Sequence, residues 1–159
     1  MIIGVMASLT LYGTTGRARA ATVTAALGIT PDKQREPGEP HISPSKAKRG
    51  IVMTEAYWHY SEKRTIASEE DPHGMESLVR LAERLEPLAP RLAELADDFD
   101  IVIWMLGHSD STQAGFLIGP ETMRRLGLLH ARFMPDIYLT EDVTAEDYAE
   151  WRRPFDYRP

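Results

Sequence analysis

The chain has 159 residues, of which 43% are hydrophobic and 26% are charged, values that fit one globular domain with a full hydrophobic core. Its formal net charge of −6 argues against nonspecific binding to nucleic acid, which needs a basic surface. The absence of cysteine excludes disulfides, thiolate catalysis and thiolate metal ligands, and no stretch approaches the roughly 18 apolar residues that a membrane span needs.

The first predicted elements are a strand and a helix. Apolar residues alternate with polar ones over residues 1–12, which predicts a strand with one buried face and does not fit a signal peptide. The helix that follows ends at Gly28, a residue suited to a left-handed cap. Residues 13–17 join the two and could hold an anion on backbone N–H groups. Because they lack the lysine and spacing of a Walker loop, we expect an ordinary turn in which Thr14 or Thr15 caps the helix.

A polar, proline-rich segment comes next. Residues 31–49 contain four prolines, so we expect a short edge strand over residues 32–36 and then a loop without a helix. We expect the basic residues near the end of this loop to form a solvated face; they are Lys46, Lys48 and Arg49.

Residues 50–64, with the sequence GIVMTEAYWHYSEKR, are the most distinctive stretch of the chain. If residues 50–61 form a strand, their side chains alternate between two faces. Trp58 and Tyr60 would then share one face, and Tyr57, His59 and Ser61 the other. A surface so rich in amphipathic groups is either a core with polar tips or a recognition face.

The second half of the chain reads as further helices and strands. We expect a helix over residues 75–85, a break before Pro90, a second helix to about residue 98, and a strand over residues 101–106. That strand is continuously apolar, as is typical of central strands covered on both sides. A turn at residues 107–113, a strand over 114–118, a helix from 119 and a last strand around residues 137–139 complete the order.

The predicted order is therefore β-α-β-β-α-β-β-α-β, followed by a short C-terminal helix. Its first six elements match the split β-α-β pattern. We predict an α+β fold, a two-layer sandwich in which helices cover one face of an antiparallel or mixed sheet.

The last residues look like an addition to this domain, so we expect one domain over residues 1–140 and an extension over residues 141–159. A short helix is predicted at residues 145–152. Since aromatic residues are common in interfaces, we expect the extension to contact the domain or a second copy. Its predicted interface residues are Tyr148, Trp151, Phe155 and Tyr157.

Several short signals occur in an order that resembles a known family. They are LGITP at residues 27–31, Gly38, WHYSE at residues 58–62, LEP at residues 85–87, and residues 116–126. Together they resemble the bacterial family of domains of unknown function numbered 4279, over about residues 5–139, with a long insert between Gly38 and Trp58. The resemblance implies a small cytoplasmic α+β domain and no settled activity.

The candidate binding site is the aromatic stretch, and no catalytic residue is predicted. A histidine can act as acid or base near neutral pH, and a carboxylate could orient it. His59 and Glu62, however, lie on opposite faces of a regular strand unless a bulge intervenes. A packed aromatic strand with satisfied polar tips is the alternative. The candidate residues are Tyr57, Trp58, His59, Tyr60 and Glu62.

Two other patterns are weaker. The sequence His108-Ser109-Asp110 holds the residue types of a catalytic triad, but neighbours in sequence cannot meet as a triad does, and they are expected to be turn residues. No two histidines have the HxxxH spacing of a helical zinc site, so we expect neither a metal nor a cofactor.

These observations favour a non-catalytic protein-interaction module, with an immunity-type protein as one form. Its partner would be another protein or a second copy, and its contact surfaces the aromatic stretch and the extension. The alternative is a small enzyme or small-molecule sensor using His59 with Tyr57, Tyr60 or Glu62, which predicts a concave pocket there.

Overall fold

The computed structural model describes residues 2–111 and 115–139. Six strands form one sheet: β1 (Ile2–Gly13), β2 (Lys33–Arg35), β3 (Tyr57–Ser61), β4 (Thr65–Ile66), β5 (Phe99–Ser109) and β6 (Arg132–Leu139). Five α-helices lie between them: α1 (Ala20–Leu27), α2 (Pro44–Lys48), α3 (Glu76–Leu85), α4 (Ala89–Leu95) and α5 (Pro120–Gly127), with a 3₁₀ turn at Glu86–Leu88. Within this described part, no helix combines the length and the apolar character that crossing a membrane requires.

The strands are arranged in the order β2-β3-β1-β5-β6, and β4 also pairs with β1. β1 is antiparallel to β3 and β5, β2 is antiparallel to β3, and β6 is parallel to β5. β1 and β2 are thus parallel with β3 between them, and β3 and β5 are parallel with β1 between them. The strands and helices therefore form two interleaved split β-α-β units, as predicted. The predicted α+β class with a mixed sheet is confirmed.

Helices α1, α3, α4 and α5 cover one face of the sheet, which we call the covered face. The core there contains the alternate residues Val5, Ala7, Leu9 and Leu11 of β1, together with apolar residues of α1, α3 and α4. Leu126 of α5 packs against the same cluster. We call the opposite side the outer face; it consists of the residues that alternate with the core positions, and none of them belongs to this cluster.

The proline-rich segment differs from the prediction. It contains helix α2, with Pro44 in the first turn, where the missing N–H costs nothing. Residues 38–53 form an arm in which Gly38 N–H donates to the Met53 carbonyl (2.8 Å) and Pro40 bridges to Val52. The prediction of a strand from residue 50 is therefore wrong over residues 50–56, apart from that bridge.

β5 is longer than predicted. It pairs with β1 along its whole length, from Gly13 opposite Phe99 to Ile2 opposite Ser109. His108 and Ser109 therefore lie in the strand and are buried, and the prediction that they form a turn is wrong. Sheet pairing has overridden their turn preference.

The strand predicted over residues 114–118 is not formed in its described part, residues 115–118. A hairpin return strand would have to pair with β5. That edge of β5 is already occupied by β6, which arrives in the parallel direction after α5.

Gly74 lies where the loop before α3 passes close to the sheet. It has φ +62°, and a Cβ there would lie 3.2 Å from the Thr65 carbonyl oxygen and 3.3 Å from Gly4 Cα. Gly28, the left-handed cap predicted for α1, has φ +66° with open space around it.

We expect Gly74→Ala to lower the free energy of unfolding by roughly 2–4 kcal/mol, because backbone strain and crowding add. Gly28→Ala is the matched control, because it introduces backbone strain without crowding. It should lower the free energy of unfolding by roughly 1–2 kcal/mol. Urea unfolding of both variants measures the difference, and equal losses would show that the loop does not press on β1 and β4.

Candidate functional site

β3 divides the predicted site residues between the two faces, as the sequence predicts. Trp58 pairs with Leu11 of the core, and Tyr60 packs against the same core. Tyr57 and His59 pair with Tyr12 and Thr10 of β1, on the outer face. The stretch therefore contributes to two separate environments.

Trp58 lies in the covered layer. Its side chain is fully buried, and its indole Nε1–H donates to Thr24 Oγ1 of α1 at 3.0 Å. A ring in this position holds α1 against β3 and is inaccessible to solvent.

Glu62 is the centre of a polar cluster at the edge of the covered layer. Its carboxylate accepts hydrogen bonds from Tyr60 Oη (3.0 Å) and Arg84 Nε (2.6 Å), and Arg80 Nε lies 3.8 Å away. The Arg84 guanidinium lies 5.5 Å from the centre of the Tyr60 ring. Burial and the bond to Glu62 raise the pKa of Tyr60, and that of Arg84 is raised chiefly by its bond to Glu62. The cluster orients its own members and does not reach His59.

We expect Glu62→Gln to lower the free energy of unfolding by roughly 1–2 kcal/mol, because a buried charge-assisted bond is lost while the arginines can turn to solvent. Glu83→Gln is the control: Glu83 is an exposed residue of α3 that pairs with Arg125 at 3.2 Å, and its loss should cost at most about 0.5 kcal/mol. Urea unfolding of both variants provides the test. A Glu62→Gln loss no greater than the control's would contradict this view of the cluster.

His59 lies on the outer face among aromatic rings. Its Nδ1 is 2.9 Å from Thr10 Oγ1, and its ring stacks on Tyr57 at 6.2 Å between centroids, with Tyr12 edge-on to Tyr57 at 5.7 Å. Burial lowers the pKa of His59 to about 4; nearby Asp32 opposes the shift, and Lys33 adds to it. Burial also raises the pKa of Tyr57. At neutral pH both side chains are uncharged, which suits a packing surface more than proton transfer.

The centre of the outer face is apolar. Val102, Trp104 and Leu106 occupy the outer positions of β5, and the register places Met6 beside Leu106 and Met134 beside Trp104. At its margins Ile66 is 40% exposed and Tyr138 39%, and Met134 is 37% exposed. The sequence predicts cover on both faces of β5. The helices of the core, within residues 2–111 and 115–139, lie on one face, while on the outer face Val102 and His108 are buried and Trp104 and Leu106 are partly exposed. The apolar run of β5 is the sequence signal for this surface, but the sequence does not show which residues of β1 and β6 lie beside it.

Polar groups are interspersed with this apolar centre. Ser8 Oγ in β1 is buried without a hydrogen-bond partner among the described residues. Lys33 and Arg35 of β2 flank His59 and Tyr57. Arg64 is half-buried, and its charge adds to burial in lowering the pKa of His108 to about 4. The outer face thus combines apolar, aromatic and cationic groups with the carboxylates of Asp100 and Asp136.

The loop at residues 13–17 serves the domain itself. Thr15 Oγ1 donates to Asp98 Oδ1 at 2.6 Å, so the predicted threonine cap is wrong. The N–H of Ala21, in the first turn of α1, donates instead to Glu36 Oε1 at 3.0 Å. A carboxylate of the chain therefore occupies the place where an external anion would bind.

Two shallow cavities stand out in the described ranges, one of about 350 Å³ at the β1–α1 loop and one of about 230 Å³ between α1 and α4. Neither is lined by a candidate residue of β3 or by Glu62, although Thr54 and Glu55 line the larger one. No group of three histidine or acidic residues in these ranges is placed to hold a metal ion. The predicted interface residues Tyr148, Trp151, Phe155 and Tyr157 lie outside the described residues.

Comparison with known proteins gives one match. No curated protein and no solved structure matches the chain. The model of the family described as "Domain of unknown function (DUF4279)" matches residues 3–140, which include all the described strands and helices except Ile2, the first residue of β1. The chain therefore belongs to the DUF4279 family.

Proposed function

We propose that this protein is a non-catalytic, polypeptide-binding domain whose contact surface is the outer face of its sheet. One observation carries the proposal: Trp104 and Leu106, at outer positions of the central strand β5, are partly exposed beside the buried Val102, while the helices that build the core pack on the other face. Apolar side chains in this position favour a covering partner, since continuous apolar strands belong to sheets covered on both sides.

The polar groups of the aromatic stretch support binding over catalysis. His59 is neutral and bonded to Thr10, and Glu62 is engaged by Tyr60 and Arg84 on the opposite side of the sheet. A general acid or base needs a proton-exchanging group beside a substrate. Tyr57 and His59 instead offer rigid rings at the edge of an apolar surface, which is the chemistry of an interface.

The partner we propose is a protein, either another protein or a second copy of this chain. An immunity-type role, in which the domain neutralises the protein that it binds, is one form of this function. The lack of cysteine and the family resemblance support a place in the bacterial cytoplasm. Light scattering over a dilution series tests for a second copy.

The test of the surface is affinity purification from the native cell with three baits: the full chain, Met134→Asp and Met123→Asp. Met134 lies on the outer face, whereas Met123 lies on α5 and is 55% exposed. Both variants introduce the same charge at an exposed methionine. We expect the partner to be retained by Met123→Asp and reduced at least about tenfold by Met134→Asp, because a desolvated charge opposes an apolar contact.

Two outcomes would overturn the proposal. A partner captured equally by all three baits would place the contact elsewhere. If mass spectrometry finds no bound protein and light scattering finds a monomer at every concentration, the domain does not bind polypeptide under cellular conditions.

A further inference from the structure

We infer that the C-terminal segment of the same chain, residues 141–159, docks on the outer face and is its resident ligand. The inference rests on the proposed function in one respect: both require this face to bind polypeptide. It goes further by naming the occupant, so that an external partner must displace a segment of the chain itself.

The place where the segment begins supports the inference that it docks on the outer face. β6 ends at Leu139, opposite Ser109 of β5, and the same end of the sheet continues through Gly4 of β1 to Ile66 of β4. Three strand spacings of about 4.8 Å separate β6 from β4, a distance of about 14 Å. Ten extended residues can span about 33 Å. The segment therefore starts at the margin of the apolar surface and is long enough to cross it.

Charge complementarity points in the same direction. Five of the ten residues 141–150 are acidic and none is basic. The outer face presents cations: Arg64 beside His108, and Lys33 and Arg35 at the far edge. An acidic stretch that enters beside β5 meets Arg64 first, and attraction across a half-buried surface is weakly screened by salt.

The second half of the segment supplies apolar area. Tyr148, Trp151, Phe155 and Tyr157 fall within ten residues. Aromatic side chains bury large areas and dominate interface energetics. A docked backbone could also provide the hydrogen-bond partner that Ser8 Oγ lacks.

Because the chain has no cysteine, an introduced pair reports on this contact without interference. Ala149→Cys is combined in the full chain with Met134→Cys on the outer face or, as the matched control, with Met123→Cys on α5. Disulfide formation in a glutathione redox buffer is followed by mass spectrometry. We expect the effective concentration of the two thiols within one chain to be at least about tenfold higher for the pair with Met134→Cys than for the pair with Met123→Cys.

Charge variants add a second readout. Arg64→Glu should lower the effective concentration of the Met134 pair roughly three- to tenfold, whereas Arg49→Glu, exposed at the end of α2, should leave it unchanged. Should Arg64→Glu fail to fold, as a thermal melt will show, Lys33→Glu at the sheet edge takes its place.

Equal linkage at Met134 and Met123 would overturn the inference, and so would disulfides that form mainly between chains, which would assign the face to a second copy. Insensitivity to both charge reversals would overturn the charge argument. The cross-link requires no external partner, so its failure is distinct from failure of the proposed function, which the affinity purification reports.

Discussion

Trp58→Ala should lower the free energy of unfolding by about 3–5 kcal/mol. The Trp58 ring is fully buried between β3 and α1, and its removal leaves a cavity in a layer that the rigid sheet cannot close. It also leaves Thr24 Oγ1 without the indole N–H. Urea unfolding, with the change in midpoint at constant slope, measures the loss.

Two variants separate packing from hydrogen bonding at Trp58. Trp58→Phe keeps much of the ring but removes the donor, and Thr24→Val removes only the acceptor. The bond is worth about 0.5–1.5 kcal/mol, so Thr24→Val should stay within that range. Trp58→Phe should fall between Thr24→Val and Trp58→Ala. If Trp58→Ala costs no more than Thr24→Val, α1 is not held by this ring.

The pattern of the sequence was sufficient for the covered side of the sheet. The period of two in residues 1–12 gave the buried face of β1, and the same period divided Trp58 from His59. Gly28 marked the end of α1 because a left-handed cap strongly prefers a residue without a side chain. These are local signals, in which each residue's role depends on its near neighbours in sequence.

The features that the sequence did not reveal depend on partners far away in the chain. His108 looks like a turn residue, and it is the full-length pairing with β1 that places it in a strand. Glu36, 15 residues from Ala21, accepts the hydrogen bond from the first turn of α1 that Thr14 or Thr15 was expected to accept. The outer face is likewise assembled from alternate residues of β5, β1 and β6. No local pattern contains that register.

Acidification should destabilise the domain between pH 6.5 and about 4 through His59 and His108. The folded pKa of each is lowered from 6.5 to about 4, chiefly by burial. The unfolded chain therefore binds protons first as the pH falls. The stabilising contribution is complete above pH 6.5 and is lost as the pH falls to about 4, at roughly 2–3 kcal/mol for each histidine. Urea unfolding at about pH 7 and about pH 4.5 measures the loss.

Variants isolate the histidines from carboxylates that titrate in the same range. His59→Gln and His108→Gln should each flatten the pH dependence by roughly 2 kcal/mol, since a glutamine carries no proton to exchange. His130→Asn at the exposed residue His130 provides the control for replacing a histidine, because asparagine tolerates its φ of 50°. The groups that face His59 are Asp32 and Lys33, and Arg64 and Tyr138 face His108, so none of these is altered. If all three variants keep the wild-type slope, burial on the outer face does not hold these imidazoles neutral.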